Sequence, residues 1–317
     1  MSVAERLQRA ISELGPRVRV DEPLGPLTTY RVGGSAAIFA SPASMNDLQE
    51  VAAVIARYDL PVLVVGRGSN LLVADSGFAG VALSLAGLAD TIEISGTHVF
   101  SGSAVALPVL ARRTAAAGLT GFEWAVGVPG SIGGAVRMNA GGHGSDIAAC
   151  LAHVDVFDLK TQVVAWRPAE SLGLRFRGSN LLDHEIVLFA QLDLAEGDTQ
   201  QSEREIAEIV RWRRENQPGG QNAGSVFVNP IPGQLSAGEL IDRVGLRGFR
   251  VGGAFVSEKH ANFIQAGDGA TAADVKAVID QVRERVAAET GFELRSEVRL
   301  VGFAEVTATS AEGSSHG

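Results

Sequence analysis

Two glycine-rich loops constrain this chain more than any other feature of its sequence. The first is Val65-Gly-Arg-Gly-Ser-Asn70 and the second is Gly127-Val-Pro-Gly-Ser-Ile-Gly-Gly-Ala135. Glycine permits positive φ angles and, because it has no side chain, lets the backbone come close to a bulky group. Consecutive amides in such turns form concave sites for anions. Two loops of this kind predict that the chain holds a dinucleotide.

Neither loop fits the common nucleotide-binding motifs. Gly66-x-Gly68 lacks the third glycine of the Rossmann fingerprint, and no acidic residue stands at the strand end where that motif binds ribose. Neither loop contains the Gly-Lys-Ser or Gly-Lys-Thr of a nucleotide-hydrolysing phosphate loop. Taken singly, each loop is equally compatible with a tight turn, because the chain contains 38 glycines.

The composition is that of a globular protein with a substantial core. The chain has 317 residues, of which 46% are hydrophobic and 20% charged, and this length favours two domains. The net charge of −9 argues against a nucleic-acid surface, which needs a concentrated basic face. A small anionic ligand remains compatible with this charge, since a few local arginines or amides suffice to bind it.

The sequence predicts neither a disulfide nor a metal site. Cys150 is the single cysteine and lies in an apolar run, so we expect it to be a small core residue. The six histidines show no metal-ligand spacing.

The N-terminus predicts a capped helix and no export signal. Ser2-Val-Ala-Glu5 has the form of a capping box, and apolar residues follow at helical spacing. Charged residues interrupt this run, and no stretch of the chain has the roughly 18 to 20 apolar residues of a membrane span. We therefore expect a cytoplasmic protein, and we expect it to be a monomer.

The pattern of elements predicts an α+β fold, because strands and helices do not alternate steadily. A composition shift at 195–201 indicates a domain boundary, followed by a charged helix capped by Ser202 and running to about Glu215. A disordered tail is expected from residue 304 onward. Strands are predicted at Pro61–Val65, Leu71–Val73, Val154–Phe157, Val163–Trp166, Glu185–Leu194 and Phe292–Phe303, helices at Ala104–Ala117, Ser236–Gly245 and Thr271–Gly291, and a polar turn at Val99–Gly102.

Further motifs accompany the glycine loops in a fixed order. They are Leu27-Thr-Thr-Tyr-Arg-Val-Gly-Gly34, Ala223-Gly-Ser-Val-Phe-Val-Asn-Pro230, Val256-Ser-Glu-Lys-His-Ala-Asn-Phe263 and Ser296-Glu-Val-Arg-Leu-Val-Gly302. With the two loops, this ordered set resembles the UDP-N-acetylenolpyruvoylglucosamine reductases, flavoenzymes of peptidoglycan precursor synthesis. The resemblance extends over roughly residues 20 to 303, so it involves nearly the whole chain.

The resemblance implies a two-domain architecture and a reaction. Residues 1–198 would form a two-subdomain FAD-binding domain of the vanillyl-alcohol-oxidase type, and residues 199–303 a smaller α+β domain that binds the UDP-sugar. NADPH would reduce non-covalently bound FAD, and a hydride would then pass to C3 of the enolpyruvyl ether. A protein group would protonate C2, giving UDP-N-acetylmuramate for cell wall formation.

The resemblance assigns catalytic roles to three residues. Arg177 corresponds to the family's catalytic arginine, whose forked donors suit a carboxylate that gains charge. Ser225 corresponds to the proton donor to C2, and Glu297 to the catalytic glutamate, which would act with Arg177 around the enolate. The family usually has tyrosine where Phe176 stands here, so any role of that hydroxyl is lost or transferred.

Ligand contacts are also predicted by residue. We expect UDP-sugar contacts from Asn229, Lys259, His260 and Asn262, although Val228 occupies the position where many relatives have a lysine. Lys259 or a nearby arginine would have to replace that lysine, and His143 receives no role. Cofactor contacts are expected from Gly66, Arg67, Gly68, Ser69, Asn70, Gly127, Gly130, Ser131, Gly133, Gly134, Asn139, Gly141 and Ile147.

Two other functions remain open at this point. A related FAD oxidase would use molecular oxygen and an alcohol, but the Gly224-Ser225 and Ser296-Glu297 motifs argue against it. A non-catalytic protein that binds a nucleotide sugar is the other alternative, and it would be colourless when purified.

Overall fold

The computed structural model describes residues 1–304, which form seven α-helices and nineteen β-strands in the predicted α+β arrangement. The helices are α1 (Val3–Leu14), α2 (Met45–Tyr58), α3 (Leu107–Ala116), α4 (Ile132–Met138), α5 (Thr199–Asn216), α6 (Ala237–Arg243) and α7 (Ala272–Thr290). The strands are β1 (Val18–Pro23), β2 (Ser35–Ala40), β3 (Val62–Val64), β4 (Leu71–Val73), β5 (Phe78–Leu83), β6 (Ile92–Ser95), β7 (His98–Gly102), β8 (Leu119–Thr120), β9 (Gly141–Gly142), β10 (Ser145–Asp146), β11 (Leu151–Asp158), β12 (Val164–Pro168), β13 (Glu185–Asp193), β14 (Ala195–Glu196), β15 (Gln221–Ser225), β16 (Arg250–Val251), β17 (Ala254–Val256), β18 (Phe263–Ala266) and β19 (Arg299–Val301).

Local capping determines several helix ends. Ser2 and Thr271 form reciprocal capping boxes with Glu5 and Asp274, and Gly291 ends α7 in the left-handed conformation. The predicted cap of α5 was wrong: the helix starts at Thr199, because the Asp198 side chain accepts from Gln201 N. Ser202 is instead buried, and its hydroxyl donates to a Glu123 carboxylate oxygen at 2.5 Å.

The first sheet has the strand order β1-β2-β5-β3. Strands β2, β5 and β3 are parallel, and α2 connects β2 to β3, so its apolar face packs on the sheet through Leu48, Val51 and Ile55. The first glycine loop follows β3 directly, as predicted. It leads into β4, which pairs in parallel with β19 from the end of the described chain.

The second sheet has the strand order β12-β11-β13-β7-β6 and is antiparallel throughout. The predicted hairpin is confirmed as β11 and β12. The predicted turn at Val99–Gly102 was wrong, because these residues lie in β7 and pair with β6 and β13. Their side chains alternate, with Val99 and Ser101 buried and Phe100 exposed, as a half-buried strand requires.

The third sheet, β15-β18-β17-β16, carries α6 and α7. Tyr30, Val32 and Leu72 belong to its hydrophobic core, although they come from the first quarter of the chain. Helix α5 instead packs Ile206 and Ile209 into the core of the second sheet. The predicted division at residue 198 stays a prediction, and the predicted tail lies, after Ala304, outside the described residues.

The predicted last strand is much shorter than expected. Only Arg299–Val301 forms a regular strand, and Ser296 makes an isolated bridge to Phe227. Leu294 and Val298 are buried but Leu300 is 38% exposed, so these three side chains do not share one buried face. Among the helices of residues 1–304, none combines the length and the apolar character that a membrane crossing requires.

Candidate active site

One cavity of about 720 Å³ lies between the two glycine loops and the third sheet. Arg177, Ser225 and Glu297 all line it, although they come from distant parts of the chain. A cavity of this volume is in the range that binds cofactors and drug-sized ligands. Its lining also includes eleven of the thirteen predicted cofactor residues, namely Gly66, Arg67, Gly68, Ser69, Asn70, Gly127, Gly130, Ser131, Gly133, Gly134 and Gly141.

The first glycine loop turns its backbone towards this cavity. Over residues 1–304, the backbone amides of residues 66–70 donate to no protein acceptor, so five consecutive donors are available to a ligand. Gly68 has a φ of +59°, and a Cβ on it would lie 2.1 Å from the Leu27 carbonyl oxygen. Only glycine fits there, because the Leu27-Thr28 backbone packs directly behind the loop.

The two loops approach each other across the cavity wall. A Cβ on Gly66 would lie 2.5 Å from the Ser131 hydroxyl, and one on Gly133 would lie 2.9 Å from Ser103 Cβ. Backbone amides of the second loop also bond outward, since Ile132 N and Gly133 N donate to Val105 O and Ser103 O. Glycine at positions 66 and 133 therefore allows the two loops to pack closely beside the cavity.

Arg177 lies at the tip of a tight turn. Arg175 and Gly178 exchange two backbone hydrogen bonds of 3.0 Å, and Arg177 itself has a φ of +56°. A non-glycine residue in this conformation is uncommon and often belongs to a functional site. The turn aims the guanidinium at the cavity, where Nε donates to Glu297 Oε2 at 2.8 Å and Nη2 donates to Gly141 O at 3.4 Å.

Phe176, the neighbour of Arg177, is largely exposed. Its side chain is 59% exposed, and the Arg177 Cζ atom lies 4.9 Å from the centre of its ring. The ring therefore supports the guanidinium from the solvent side through a cation–π contact.

Backbone hydrogen bonds fix Glu297 beside both of the other segments. Glu297 N donates to Val226 O at 2.8 Å, which places Glu297 next to the residue that follows Ser225. Asn70 Nδ2 donates to Glu297 O at 2.9 Å, and Arg299 N donates to Asn70 O at 2.9 Å. The first glycine loop is thus tied on both sides of Val298 to the segment that carries the glutamate.

Ser225 ends β15 at an irregular pairing. The register with β18 shifts between Asn222 and Ser225, so Ala223 and Gly224 form a bulge and Ser225 is exposed to the cavity. Beyond it, the Asn262 side chain holds the backbone of Phe227, accepting from its N at 2.9 Å and donating to its O at 2.8 Å.

Two predicted cofactor residues do not line the cavity. Ile147 is fully buried in the core of the second sheet. Asn139 is 4% exposed, and its side chain bonds Ala148 N and Asp146 within the second loop region. Ile147 packs in the core and Asn139 makes local hydrogen bonds, so both side chains support the conformation of the loop.

The four predicted substrate residues also lie outside the cavity lining. The Asn229 side chain accepts from Ala237 N at the start of α6, and both amide atoms of Asn262 are engaged with Phe227. Burial lowers the pKa of His260, and the positive charge of the nearby Arg247 lowers it further. Lys259 Nζ donates to Arg214 O, near the C-terminal end of α5. In each case the side chain supports backbone or core.

The structure adds an arginine that the sequence did not single out. Arg213 on α5 lines the cavity with Trp212 and Gln217, and its Nε donates to Gln217 Oε1 at 2.9 Å. Burial lowers its pKa, but a guanidinium remains charged at neutral pH. Among residues 1–304 no carboxylate pairs with Arg213, which leaves a half-buried cation facing the cavity.

His143 lies beside this arginine. Its ring packs edge-on against Trp212 with 5.3 Å between ring centres, and burial, followed by the charge of Arg213, lowers its pKa. At neutral pH the imidazole is therefore neutral, so Arg213 is the cation at this part of the wall.

Two further arginines lie beside Asp183 on the cavity wall. Arg137 Nη2 lies 2.6 Å from Asp183 Oδ1, and Arg299 Nη2 lies 3.6 Å from the same oxygen. Burial, followed by Arg299, lowers the pKa of Arg137. Two guanidinium groups thus share the Asp183 carboxylate, and Glu185 also lies on this wall.

Comparisons with known proteins match both the N-terminal and the C-terminal part of the chain. Residues 36–165 match the family model described as FAD binding domain, and residues 216–301 match UDP-N-acetylenolpyruvoylglucosamine reductase, C-terminal domain. The chain is 45% identical to UDP-N-acetylenolpyruvoylglucosamine reductase of Heliobacterium modesticaldum over 89% of this chain and 90% of that protein. It is 36% identical to the enzyme of that name from Bacillus subtilis, over 93% and 99%. The crystal structure of UDP-N-acetylenolpyruvylglucosamine reductase from Thermus caldophilus covers 90% of this chain and 99% of its own, with 36% identity and a TM-score of 0.78.

Proposed function

Since the chain belongs to the UDP-N-acetylenolpyruvoylglucosamine reductase family, we propose that it reduces UDP-N-acetylglucosamine enolpyruvate to UDP-N-acetylmuramate with NADPH, by way of bound FAD, in peptidoglycan synthesis. The family, the fold class and the cofactor are those that the sequence predicted. The observation that carries the proposal is the single cavity that both glycine loops and the cluster of Arg177, Ser225 and Glu297 line together.

The residues present fit FAD. Five unpaired amides at residues 66–70 suit a diphosphate, and Gly66, Gly68 and Gly133 let the loops that carry them pack closely against Ser131, Leu27 and Ser103. We assign the diphosphate to the first loop and the rest of the cofactor to the wall made by the second loop. Bound FAD supplies a carrier that accepts hydride from NADPH and donates it to C3 of the enolpyruvyl group.

Arg177 stabilises the charge that develops on the substrate. When hydride adds to C3, electron density moves through C2 towards the carboxylate and gives an enolate-like group. The Arg177 guanidinium faces the cavity and is oriented by Glu297 and Gly141 O, so it is aligned before the reaction begins. A preorganised cation of this kind lowers the barrier more than it strengthens substrate binding.

Ser225 provides the proton for C2. Its hydroxyl is a weak acid in water, so the transfer requires a strongly basic carbon and exclusion of water from the cavity. The O–H bond breaks as the C2–H bond forms, and the serine then recovers its proton from solvent. Glu297 keeps Arg177 and the Ser225 strand together, through its carboxylate on one side and its amide on the other.

Arg213 is our candidate for the cation that replaces the lysine missing at Val228. It faces the cavity without a carboxylate partner among residues 1–304, so a substrate diphosphate can take that place. Lys259 then acts indirectly, because its bond to Arg214 O holds the end of α5 that carries Arg213. We expect Arg213→Gln to raise KM for the UDP-sugar more than Lys259→Met does, with kcat less affected in both.

A half-reaction experiment tests the function. The purified protein should be yellow, NADPH should bleach it without oxygen, and UDP-N-acetylglucosamine enolpyruvate should restore the colour. Ser225→Ala should bind FAD and be reduced by NADPH normally while its reoxidation by the enolpyruvyl substrate is blocked. Reoxidation of Ser225→Ala at the wild-type rate would reject the role of Ser225.

The same experiment separates the alternative functions. Oxygen consumption with an alcohol substrate would identify an oxidase, and a colourless protein that binds the UDP-sugar would identify a binding protein.

Two properties complete the proposal. We propose that the enzyme works in the cytoplasm, where its nucleotide-sugar substrate and NADPH are available, and that it is a monomer. Light scattering coupled to size-exclusion chromatography of the FAD-bound protein tests the second statement, and a mass of twice 33.0 kDa would refute it.

A further inference from the structure

The strand that carries Ser225 departs from regular pairing just before this residue. Two residues of β15, Ala223 and Gly224, lie opposite Ile264 alone on β18. The register shift falls between Asn222 and Ser225. A bulge of this kind bends the strand and changes the direction of the side chains beside it. The direction of the Ser225 side chain therefore depends on what holds the bulge in place.

The Asn222 side chain closes this bulge. Its Oδ1 accepts from Gly224 N at 3.0 Å, two residues further along the chain. An asparagine oxygen bonded to the amide two residues on mimics a backbone turn. Gly224 has a φ of +77°, a conformation that glycine adopts readily. The hydrogen bond thus fixes the amide of the residue immediately before Ser225.

The nitrogen of the same side chain ties the bulge to the turn that precedes β15. Asn222 Nδ2 donates to Gly219 O and to Gly220 O, each at 3.2 Å. Backbone groups therefore engage both ends of the Asn222 amide. Asn222 is also absent from the cavity lining, which includes Gly224 and Ser225. Its side chain supports the backbone beside the site and does not face the ligand space.

The backbone after Ser225 is fixed independently of Asn222. Val226 N donates to Asn262 O at 2.9 Å, and Val226 O accepts from Glu297 N at 2.8 Å. Val226 is fully buried in the core of the third sheet. On the other side of Ser225, a Cβ on Gly224 would meet no atom of residues 1–304 within 4 Å, so packing around that position does not hold the bulge. The Asn222 hydrogen bond is therefore the restraint on this side.

We propose that Asn222 is a positioning residue for Ser225: its side chain fixes the Gly224 amide and so keeps the Ser225 hydroxyl directed into the cavity, towards C2 of the substrate. This inference rests on the proposed function. It gives Asn222 no contact with substrate or cofactor. The effect of Asn222 on the reaction passes through the bulge to the proton donor.

The test compares Asn222→Ala with Gln265→Ala in the FAD-bound enzyme, by rapid-mixing measurement of the two half-reactions. Gln265 Nε2 also donates to Gly219 O, at 2.9 Å, so its alanine variant loosens the same turn but leaves the bond to Gly224 N intact. Asn222→Ala should be reduced by NADPH at the wild-type rate but reoxidised by the enolpyruvyl substrate about tenfold more slowly, because a small misplacement of a reacting group is costly. Gln265→Ala should match the wild type in both steps.

Two further measurements separate positioning from structural support. Asn222→Ser keeps an oxygen that can accept from Gly224 N, so it should restore most of the reoxidation rate. In Asn222→Ala the solvent isotope effect on reoxidation should increase, because proton transfer from a misdirected hydroxyl limits the rate more strongly. The substrate concentration at the half-maximal rate should stay unchanged, since Asn222 binds no part of the substrate.

Reoxidation of Asn222→Ala as fast as that of Gln265→Ala would overturn the inference. So would an equal slowing of both half-reactions together with a lower melting temperature, or a rate for Asn222→Ser no higher than that for Asn222→Ala. Failure of the wild-type enzyme to be reoxidised by the substrate would instead refute the proposed function, and the inference with it.

Discussion

Arg177 donates through Nε to Glu297 Oε2 over 2.8 Å, although 120 residues separate the two in the chain. The glutamate side chain is 14% exposed and the arginine side chain 28% exposed, so the pair is only partly screened by water. The contact orients the guanidinium from one side, Nη2 donates to Gly141 O, and Nη1 has no hydrogen-bond partner within residues 1–304.

Replacing Arg177 by lysine should lower kcat about 100-fold, because an ammonium cannot bond Glu297 and the substrate carboxylate with a planar fork. Steady-state kinetics with the enolpyruvyl substrate measures this effect. Arg175→Lys is the matched control, since Arg175 belongs to the same turn but donates to Gly173 O and Asn180 on the exposed side. A turnover of Arg177→Lys within threefold of wild type would show that charge alone suffices.

Gly68→Ala should abolish retention of FAD during purification. Gly68 and Gly96 have φ angles of +59° and +58°, but a Cβ on Gly68 would meet Leu27 O at 2.1 Å, whereas one on Gly96 would meet nothing within 4 Å. Both alanine variants bear the left-handed strain of about 1 kcal/mol, and only Gly68→Ala must displace backbone. The ratio of flavin to protein is the measurement, and equal flavin content in both variants would contradict the assigned cradle.

Asp75→Ala should destabilise the protein by about 1 to 2 kcal/mol without affecting turnover. The two Asp75 carboxylate oxygens accept from Ala272 N and Ala273 N, each at 2.9 Å, and so bind the free amides at the start of α7. Urea unfolding measures the loss, with Asp268→Ala in the exposed loop before α7 as control. A stability equal to that of the control would mean that Thr271 alone caps the helix.

The stability of the protein should fall below neutral pH in a way that depends on His260. Burial, followed by Arg247, lowers the pKa of His260 in the folded state, so the unfolded chain binds this proton more readily. The contribution is fully present above the unfolded pKa of about 6.5 and is lost as the pH falls through it towards the folded pKa. His260→Gln keeps an acceptor for Asn262 N, which bonds His260 Nδ1 at 3.2 Å, but does not titrate.

Unfolding free energies of wild type and His260→Gln at pH 7.5 and 5.5 test this prediction. The wild type should lose more stability over this interval than the variant. Equal losses would assign the acid sensitivity to other groups, such as His143, which both proteins keep.

Elements governed by neighbouring residues were predictable from the sequence. The capping boxes at Ser2 and Thr271 and the stop at Gly291 act within one helical turn, so the sequence placed α1 and α7 correctly. The start of α5 was misplaced because Asp198 and Ser202 are both good caps, and only the burial of Ser202 against Glu123 distinguishes them.

In the site, too, the sequence did not show which side chains depend on neighbours that are distant in the chain. Arg213 is one of several arginines on a charged helix, and no local pattern indicates that it faces a cavity. Conversely, Lys259 and Asn262 lie in a recognisable motif, yet their side chains bond backbone at Arg214 and Phe227. A polar residue in a motif serves a ligand or the fold, and its neighbours in space decide which.

The sequence by itself predicted where the backbone can come close to another group, because Gly66, Gly68 and Gly133 have no side chain in any fold. Through its resemblance to a known family it also predicted catalytic roles for Arg177, Ser225 and Glu297. Only the tertiary structure decided that Asn70, Val226 and Glu297 are joined by hydrogen bonds, and that Tyr30 is buried in the core of the third sheet. These relationships arise from packing between distant segments, and the free energy of such contacts depends on the three-dimensional arrangement of residues that are far apart in the chain.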